Sequence, residues 1–293
     1  MTRLRGSWTA AAAVTLFLLS ACARTDAAGT PGEFASPGAS GGSTAPAPAD
    51  QLVLRVEQGG GLAGNRAQPG TLPAVSVYAD GRVITVGPQI AIYPGPALPN
   101  VQVQIVPPAT LDELLAQGKA LAGAGDLGRP SVADGTTTTV TIQGRTIAAY
   151  ALHEAQPSDP SLTAAQRESR RRLLAFTEQL TQLPTAKGMP EAQPYTPAAL
   201  AALAKPWVKP TDDLPSQPAP TPWPGPALPG EELQPGIKQS CVTVTGDAVA
   251  DLLAAAKKAN QSTPWQSGTG TYSVSFRPLL PDESGCADLR AKR

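Results

Sequence analysis

Apolar and polar residues alternate along several short stretches of the chain, which is the pattern of β-strands with one buried face. The first stretch is 51–58. Two further stretches, 73–79 and 82–86, are joined by Asp80-Gly81, a dipeptide favoured in two-residue hairpin turns. The same alternation predicts strands at 101–106, 136–143, 145–152, 241–244 and 271–276.

Three other segments repeat apolar residues at the spacing i, i+3, i+4 and i+7, which is typical of helices. We predict these helices over about 110–121, 164–183 and 247–260. The longest opens with Thr163 and Gln166 in the arrangement of a capping box. Its buried face should consist of Leu173, Phe176, Leu180 and Leu183. In the two shorter helices the apolar stripes are Leu111, Leu114, Leu115 and Gly118, and Val249, Leu252, Leu253 and Ala256.

The hexapeptide Pro-Gly-Pro-Ala-Leu-Pro occurs twice, at 94–99 and 224–229. An aromatic residue precedes each copy, Tyr93 in the first and Trp223 in the second. Because a predicted strand and a predicted helix follow both copies, we interpret the pattern as a duplicated strand-helix-strand unit. We expect both short helices to pack on an antiparallel sheet and both aromatic residues to lie at corresponding entrances to the two units.

The order of these elements predicts an α+β fold, with helices packed on antiparallel sheet, one longer helix and a Pro-rich connector. The connector is indicated by 14 prolines between Pro184 and Pro235. We expect five segments: a signal peptide at 1–21, a disordered tether at 22–50, a first lobe at 51–183, the connector at 184–236, and a second, smaller unit at 237–293.

The N-terminus has the features of a secretory signal. Arg3 and Arg5 precede an uncharged, mostly apolar stretch that ends in Leu19-Ser20-Ala21-Cys22. This tetrapeptide resembles the lipobox of bacterial lipoproteins. The resemblance implies that the signal is cleaved before Cys22 and that its thiol carries a diacylglyceryl group with fatty acids such as palmitate. The alternative is an ordinary secreted protein in which Cys22 is merely near the cleavage point.

Composition argues against several classes of function. The chain has 23 Lys+Arg and 23 Asp+Glu, which argues against a nucleic-acid-binding protein that neutralises phosphates. It has a single histidine, His153, beside Glu154, and the sequence identifies no partner for a nucleophile-base pair. We therefore expect no cofactor and no metal site, and the chain gives little indication of an enzyme. The arginine-rich face of the long helix is expected to be solvated: Arg167, Arg170, Arg171 and Arg172.

Once Cys22 is acylated, two cysteines remain, Cys241 and Cys286. Disulfides persist outside the cytoplasm, and an even number of thiols favours a bridge between these two. The sequence contains neither a Cys-x-x-Cys motif nor clustered histidines, so a metal or redox role has weak support.

Three tryptophans follow prolines and suggest a possible binding surface together with Tyr93: Trp207, Trp223 and Trp265. Aromatic residues on a stiff backbone suit such a surface. The preferred interpretation is that the tryptophans instead pin the Pro-rich connector onto the lobes as part of the core.

With the lipobox, the segments 73–83 and 241–247 and the repeated hexapeptide in view, the chain resembles uncharacterised actinobacterial secreted lipoproteins. The resemblance implies a lipid-anchored protein on the extracytoplasmic face of the cell membrane, and it implies no mechanism. We expect a non-catalytic binding or interaction role, with an envelope protein or a cell-wall ligand as partner. The alternatives are a cell-wall-directed hydrolase with dispersed acidic residues and a solute-binding lipoprotein.

Overall fold

A computed structural model describes residues 48–61, 69–121, 123, 125–209, 218–233, 236 and 238–290. The predicted signal peptide, its lipobox with Cys22 and nearly all of the predicted tether lie outside these residues. No helix in the described part of the chain is long and apolar enough to cross a membrane. Both sheets belong to one compact unit, Pro46–Arg293.

The first sheet has seven strands and is antiparallel throughout. Its spatial order is β6-β5-β1-β2-β3-β4-β7. The strands are β1 (Leu52–Gly60), β2 (Val75–Tyr78), β3 (Arg82–Val86), β4 (Val101–Ile105), β5 (Thr136–Ile142), β6 (Arg145–Tyr150) and β7 (Gln193–Pro194). The hairpin between β2 and β3 turns at Asp80-Gly81, as the sequence predicts.

Two helices cover one face of this sheet, α1 (Pro108–Leu121) and α2 (Ala164–Gln182). The predicted capping box of α2 is present, because the Thr163 hydroxyl accepts from the Gln166 backbone N–H and the Gln166 side chain accepts from that of Thr163. Gly118 lies where α1 approaches its neighbours most closely. A Cβ atom there would lie 3.0 Å from Ile142 and 3.3 Å from Phe176.

The arginine face of α2 differs from the prediction most clearly at Arg170, while Arg167 is half-buried and donates to the backbone carbonyls of Asp159 and Leu162. Arg170 is 5% exposed, and its guanidinium donates to the backbone carbonyls of Tyr150 and Ala151 at the end of β6, at 2.8 and 2.7 Å. Tyr150 is the last paired residue of β6 and Ala151 follows it, so the guanidinium binds the backbone where the strand ends. Arg170 therefore fastens α2 to the sheet, and burial lowers the pKa of its guanidinium.

The second sheet has six strands in the order β10-β11-β8-β13-β12-β9. They are β8 (Ala199–Pro206), β9 (Thr221–Pro222), β10 (Glu231–Glu232), β11 (Ser240–Thr245), β12 (Pro264–Ser267) and β13 (Gly270–Pro278). All pairs are antiparallel except the short pair of β12 with β9. Helix α3 (Ala248–Lys257) packs on one face through Val249, Leu252 and Ala256. The fold is thus α+β with helices on antiparallel sheet, as the sequence predicts.

The stretch predicted as a Pro-rich connector contains a strand that sequence reasoning missed. Within 184–236, β8 pairs with β11 on one side and β13 on the other. Leu200 packs in the core under α3, whereas Leu203 packs on the opposite face of the sheet. Small alanines between them allow both faces of this strand to be covered, but alanine has a low β-propensity, which hides the strand in the sequence.

The two units related by the hexapeptide share the order strand, helix, hairpin. Leu114 in α1 and Leu252 in α3 are both buried against their sheets, 1% and 0% exposed. The strand pairing differs. In the first unit the leading hairpin strand β5 joins the interior strand β1, whereas in the second unit the trailing hairpin strand β13 joins the interior strand β8.

The aromatic residues before the two hexapeptides occupy different environments, which corrects the expectation of corresponding entrances. Tyr93 is 67% exposed, whereas Trp223 is 9% exposed and lies in the core of the second sheet. Ala97 of the first hexapeptide also packs in that core. Both hexapeptides therefore contribute to the second half of the molecule, rather than one to each half.

Candidate functional site

The loop 87–100 leaves the first sheet after β3 and returns to it at β4. Its base is closed by two hydrogen bonds. The Gly87 N–H donates to the Asn100 carbonyl at 2.7 Å, and the Asn100 side-chain amide donates to the Pro88 carbonyl at 2.8 Å. The side chain of Gln102 comes so close to Gly87 that a Cβ atom there would lie 2.5 Å from it. The loop therefore has a fixed base.

The far side of the loop is fixed to the second half of the molecule. The Ala97 N–H donates to the Ala259 carbonyl at 3.4 Å, and the Gln261 N–H donates to the Gly95 carbonyl at 2.9 Å. Both partners follow directly after α3. The loop is thus held at its base by the first sheet and at its far side by the end of α3.

A groove of about 480 Å³ lies between this loop and strand β13, and we call it the loop groove. Strand β12 pairs with β13 only as far as Ser273, so beyond that residue β13 faces the groove. The lining consists of Gln89, Ile90, Ile92, Gly95, Pro96, Ala97, Leu98, Pro99, Gln261, Val274, Ser275 and Phe276.

Among the described residues, none with an ionisable side chain lines the loop groove. Its polar side chains are the amides of Gln89 and Gln261 and the hydroxyl of Ser275. Amides and a hydroxyl donate and accept hydrogen bonds, whereas general acid-base catalysis requires a side chain that exchanges a proton near neutral pH. The groove can therefore hold a ligand by packing and hydrogen bonding, and its own side chains do not supply acid-base chemistry.

At one edge of the groove, which includes the lining residues Ile90 and Ile92, large apolar side chains are exposed to solvent. Val86, Ile90, Ile92 and Tyr93 are exposed by 43, 64, 58 and 67%, and we call these four residues the apolar tip. In the described part of the chain only two other large apolar residues are comparably exposed, Ile105 and Val208. Scattered exposed apolar residues need no explanation, but a local cluster marks a candidate contact surface.

A second groove, of about 550 Å³, lies at the disulfide. Cys241 and Cys286 are bonded with their Cα atoms 5.9 Å apart, which confirms the predicted bridge. The rim of this groove carries Arg290 and Glu231, which form an ion pair of 3.1 Å. Because these two charges neutralise each other and the floor is a covalent crosslink, we assign this groove a structural role.

Polar side chains also meet between the first sheet and the C-terminal segment 279–290, which follows β13. Arg55 donates to Ser76 at 3.0 Å and to Asp282 at 2.7 Å, and the Tyr78 hydroxyl donates to Asp282 at 2.6 Å. Burial, reinforced by the hydrogen bond to Asp282, raises the pKa of Tyr78 far above its usual range. An arginine, a tyrosine and a carboxylate could form a catalytic set. Here Arg55, Tyr78 and Asp282 are hydrogen-bonded to one another, and none of them lines the loop groove or the groove at the disulfide.

The carboxylate next to Asp282 in the chain, that of Glu283, also forms an ion pair. Glu283 accepts from Arg277 at 2.8 Å, and their side chains are only 9 and 2% exposed. Among the residues that the structure describes, no three or more His, Cys, Asp or Glu are placed together to hold a metal ion. Asp282 therefore joins the C-terminal segment to the first sheet, whereas Glu283 joins it to β13 of the second sheet.

The four residues of the predicted aromatic surface do not lie together in the structure. Trp223 and Trp265 lie in the core with Phe276, and the two indoles meet edge to face at 5.6 Å, so they offer no ring face to a ligand. Trp207 is half-buried after β8, and Tyr93 belongs to the apolar tip. The exposed tip has a signal in the sequence, since Ile90 and Ile92 stand in a Pro-rich segment outside any predicted strand.

His153 is exposed in the turn that follows β6. The adjacent Glu154 accepts hydrogen bonds from the backbone and the hydroxyl of Thr136, at 2.9 and 2.6 Å. Neither residue lines the loop groove or the groove at the disulfide.

Comparison with known protein families, with curated proteins and with solved structures finds no match to this chain.

Proposed function

We propose that this protein is lipid-anchored on the extracytoplasmic face of the cell membrane and has a non-catalytic binding role there. The anchor is supported by the signal sequence that ends in Leu19-Ser20-Ala21-Cys22. The bond between Cys241 and Cys286 agrees with this location, because disulfides persist in oxidising compartments. Two acyl chains on Cys22 would give stable attachment, whereas one chain alone would be marginal.

The observation that carries the binding role is the loop groove, whose described lining consists of apolar side chains, amides and one hydroxyl and includes no ionisable group. Sites of this composition hold ligands by shape and by a few hydrogen bonds. Ile90 and Ile92 of the apolar tip belong to this lining, so the tip forms one edge of the groove.

Neither alternative function gains comparable support. A glycosidic hydrolase needs two facing carboxylates at an open cleft, whereas Asp282 and Glu283 are paired with arginines away from both grooves. A two-lobed solute-binding protein would be built from parallel strand-helix repeats, and the described strands pair antiparallel apart from β9 with β12.

The anchor is tested by metabolic labelling with a fatty acid in the native host. We expect the wild-type chain to incorporate the label and to sediment with membranes. Cys22→Ala should carry no label, because the acceptor thiol is gone, and should be released or remain uncleaved. Ser20→Ala is the matched control, since it keeps a small residue in the lipobox and leaves the thiol in place. Equal labelling of Cys22→Ala and wild type would refute the anchor.

A further inference from the structure

The apolar tip lies within the longest uncharged part of the folded sequence. No Asp, Glu, Lys or Arg occurs from Val83 to Leu111, although 16% of the chain is charged. The tip therefore has no charged neighbour in sequence that would have to leave water when the tip enters an apolar medium. Its side chains are two isoleucines, one valine and one tyrosine, and tyrosine is enriched at the interface between membrane and water.

The tip is held in place before it meets any partner. The hydrogen bonds of Gly87 and Asn100 close the base of the loop, and those of Gly95 and Ala97 attach its far side to the end of α3. A contact surface that is already ordered loses little conformational freedom on binding.

Two exposed cations directly precede the residues that contact the loop. Lys257 and Lys258 end α3, and the next residues, Ala259 and Asn260, contact the loop directly through a backbone hydrogen bond and a β-bridge to Pro96. Apolar side chains flanked by lysines are the footprint of proteins that rest on anionic lipid, because the cations meet the headgroups while the apolar groups enter the boundary below them.

The anchor and the tip can reach the same bilayer. Residues 23–51 separate Cys22 from β1, and at about 3.5 Å per residue a chain of this length spans at most about 100 Å. Asp50 is fixed by Arg82 at the start of β3, and the loop begins at the other end of that strand, about 15 Å away. The linking chain is therefore several times longer than the distance it must cover.

We propose that the apolar tip is a second membrane contact, which rests on an anionic bilayer with Lys257 and Lys258 at its edge. This inference rests on the proposed lipid anchor, which supplies the bilayer. A protein partner or a second copy fits less well, because a stable protein interface uses about 20–30 residues a side and the tip has four. A few apolar side chains suffice when an anchor already keeps the protein at the membrane.

The test uses the full chain in membranes of its native host, with a photoreactive diazirine amino acid in place of Ile92. The same amino acid in place of Val208 is the matched control, since Val208 is also apolar and 77% exposed but lies outside the tip. After irradiation, mass spectrometry identifies what each position has captured. Equal thermal unfolding of both variants shows that the fold is unchanged.

We expect Ile92 to capture phospholipid at least about tenfold more often than Val208. Moving one large apolar side chain from water into an apolar medium favours the buried state by at least about tenfold. Lys257→Gln and Lys258→Gln should each lower the share of anionic lipid among the adducts, by up to about fivefold. Adducts of Ile92 with a protein or with a second copy, the absence of adducts, or equal lipid capture at both positions would overturn the proposal. Fatty-acid labelling of the same sample reports separately on the anchor, so the failure of one proposal is distinguishable from the failure of the other.

Discussion

Arg55 in β1 and Asp282 in the C-terminal segment form an ion pair of 2.7 Å, although 227 residues separate them in the chain. Asp282 also accepts from Tyr78 at 2.6 Å, and Leu280 beside it packs on the outer face of the first sheet. The same segment is bonded to β11 through Cys286. The C-terminal segment therefore fastens the first sheet to the second.

Removing the charge of Asp282 should destabilise the protein. In Asp282→Asn the guanidinium of Arg55 stays nearly buried without its counter-charge, and breaking such a pair costs about 3 kcal/mol. Urea unfolding at neutral pH measures the loss. The control is Glu231→Gln, which breaks the exposed pair with Arg290 and should cause no measurable change. If both variants unfold at the same urea concentration as the wild type, the pair does not fasten the sheets.

Stability should fall at alkaline pH in part because of Tyr195, whose hydroxyl donates to the Leu279 carbonyl at 2.9 Å. Burial raises the pKa of Tyr195 to about 12, against about 10 in the unfolded chain. A group whose pKa is higher in the folded than in the unfolded chain stabilises the fold fully below its unfolded pKa, here about pH 10. This contribution to the free energy of unfolding is lost as the pH rises towards 12.

Urea unfolding at pH 8 and pH 11 separates this effect from the loss of the hydrogen bond. Between the two pH values the wild type should lose about 1 kcal/mol more than Tyr195→Phe, because the variant has no proton to release at this position. An identical loss in both proteins would show that Tyr195 does not titrate with a raised pKa.

The two short helices should contribute equally to stability. Leu114→Ala and Leu252→Ala each remove a fully buried leucine, so each should cost about 2–5 kcal/mol and the two costs should be similar. Leu115→Ala and Leu253→Ala are the matched controls, since these neighbours are only partly buried and should cost less. A marginal effect at only one of the two buried positions would contradict the equivalence of the two helices.

Local sequence patterns predicted much of α2 and the first sheet, because the residues that specify a capping box or a hairpin turn are only a few positions apart in the chain. The capping box at Thr163 and the hairpin at Asp80-Gly81 are present where the sequence places them. Strand β8 was missed, since its alanines gain strand character only from the partners on both sides. The contact of Arg55 with Asp282 has no local signature, because only the completed fold brings the two residues together.

The disulfide should contribute strongly to stability, and neither of its cysteines should be present as a free thiol. Alkylation in denaturant without reductant should leave Cys241 and Cys286 unmodified. Replacing both by serine should cost about 4 kcal/mol, because the bridge closes a loop with a sequence separation of 45. Labelling of either cysteine in the unreduced protein would contradict the bridge.

Location at the membrane is the central claim, and the N-terminal peptide of the mature protein tests it most directly. Mass spectrometry of this peptide, from protein purified out of membranes of the native host, determines where the chain begins and what its first residue carries. The proposed anchor predicts that the chain begins at Cys22 and that this residue carries a diacylglyceryl group. A chain that retains residues 1–21, or one with an unmodified Cys22, would contradict it.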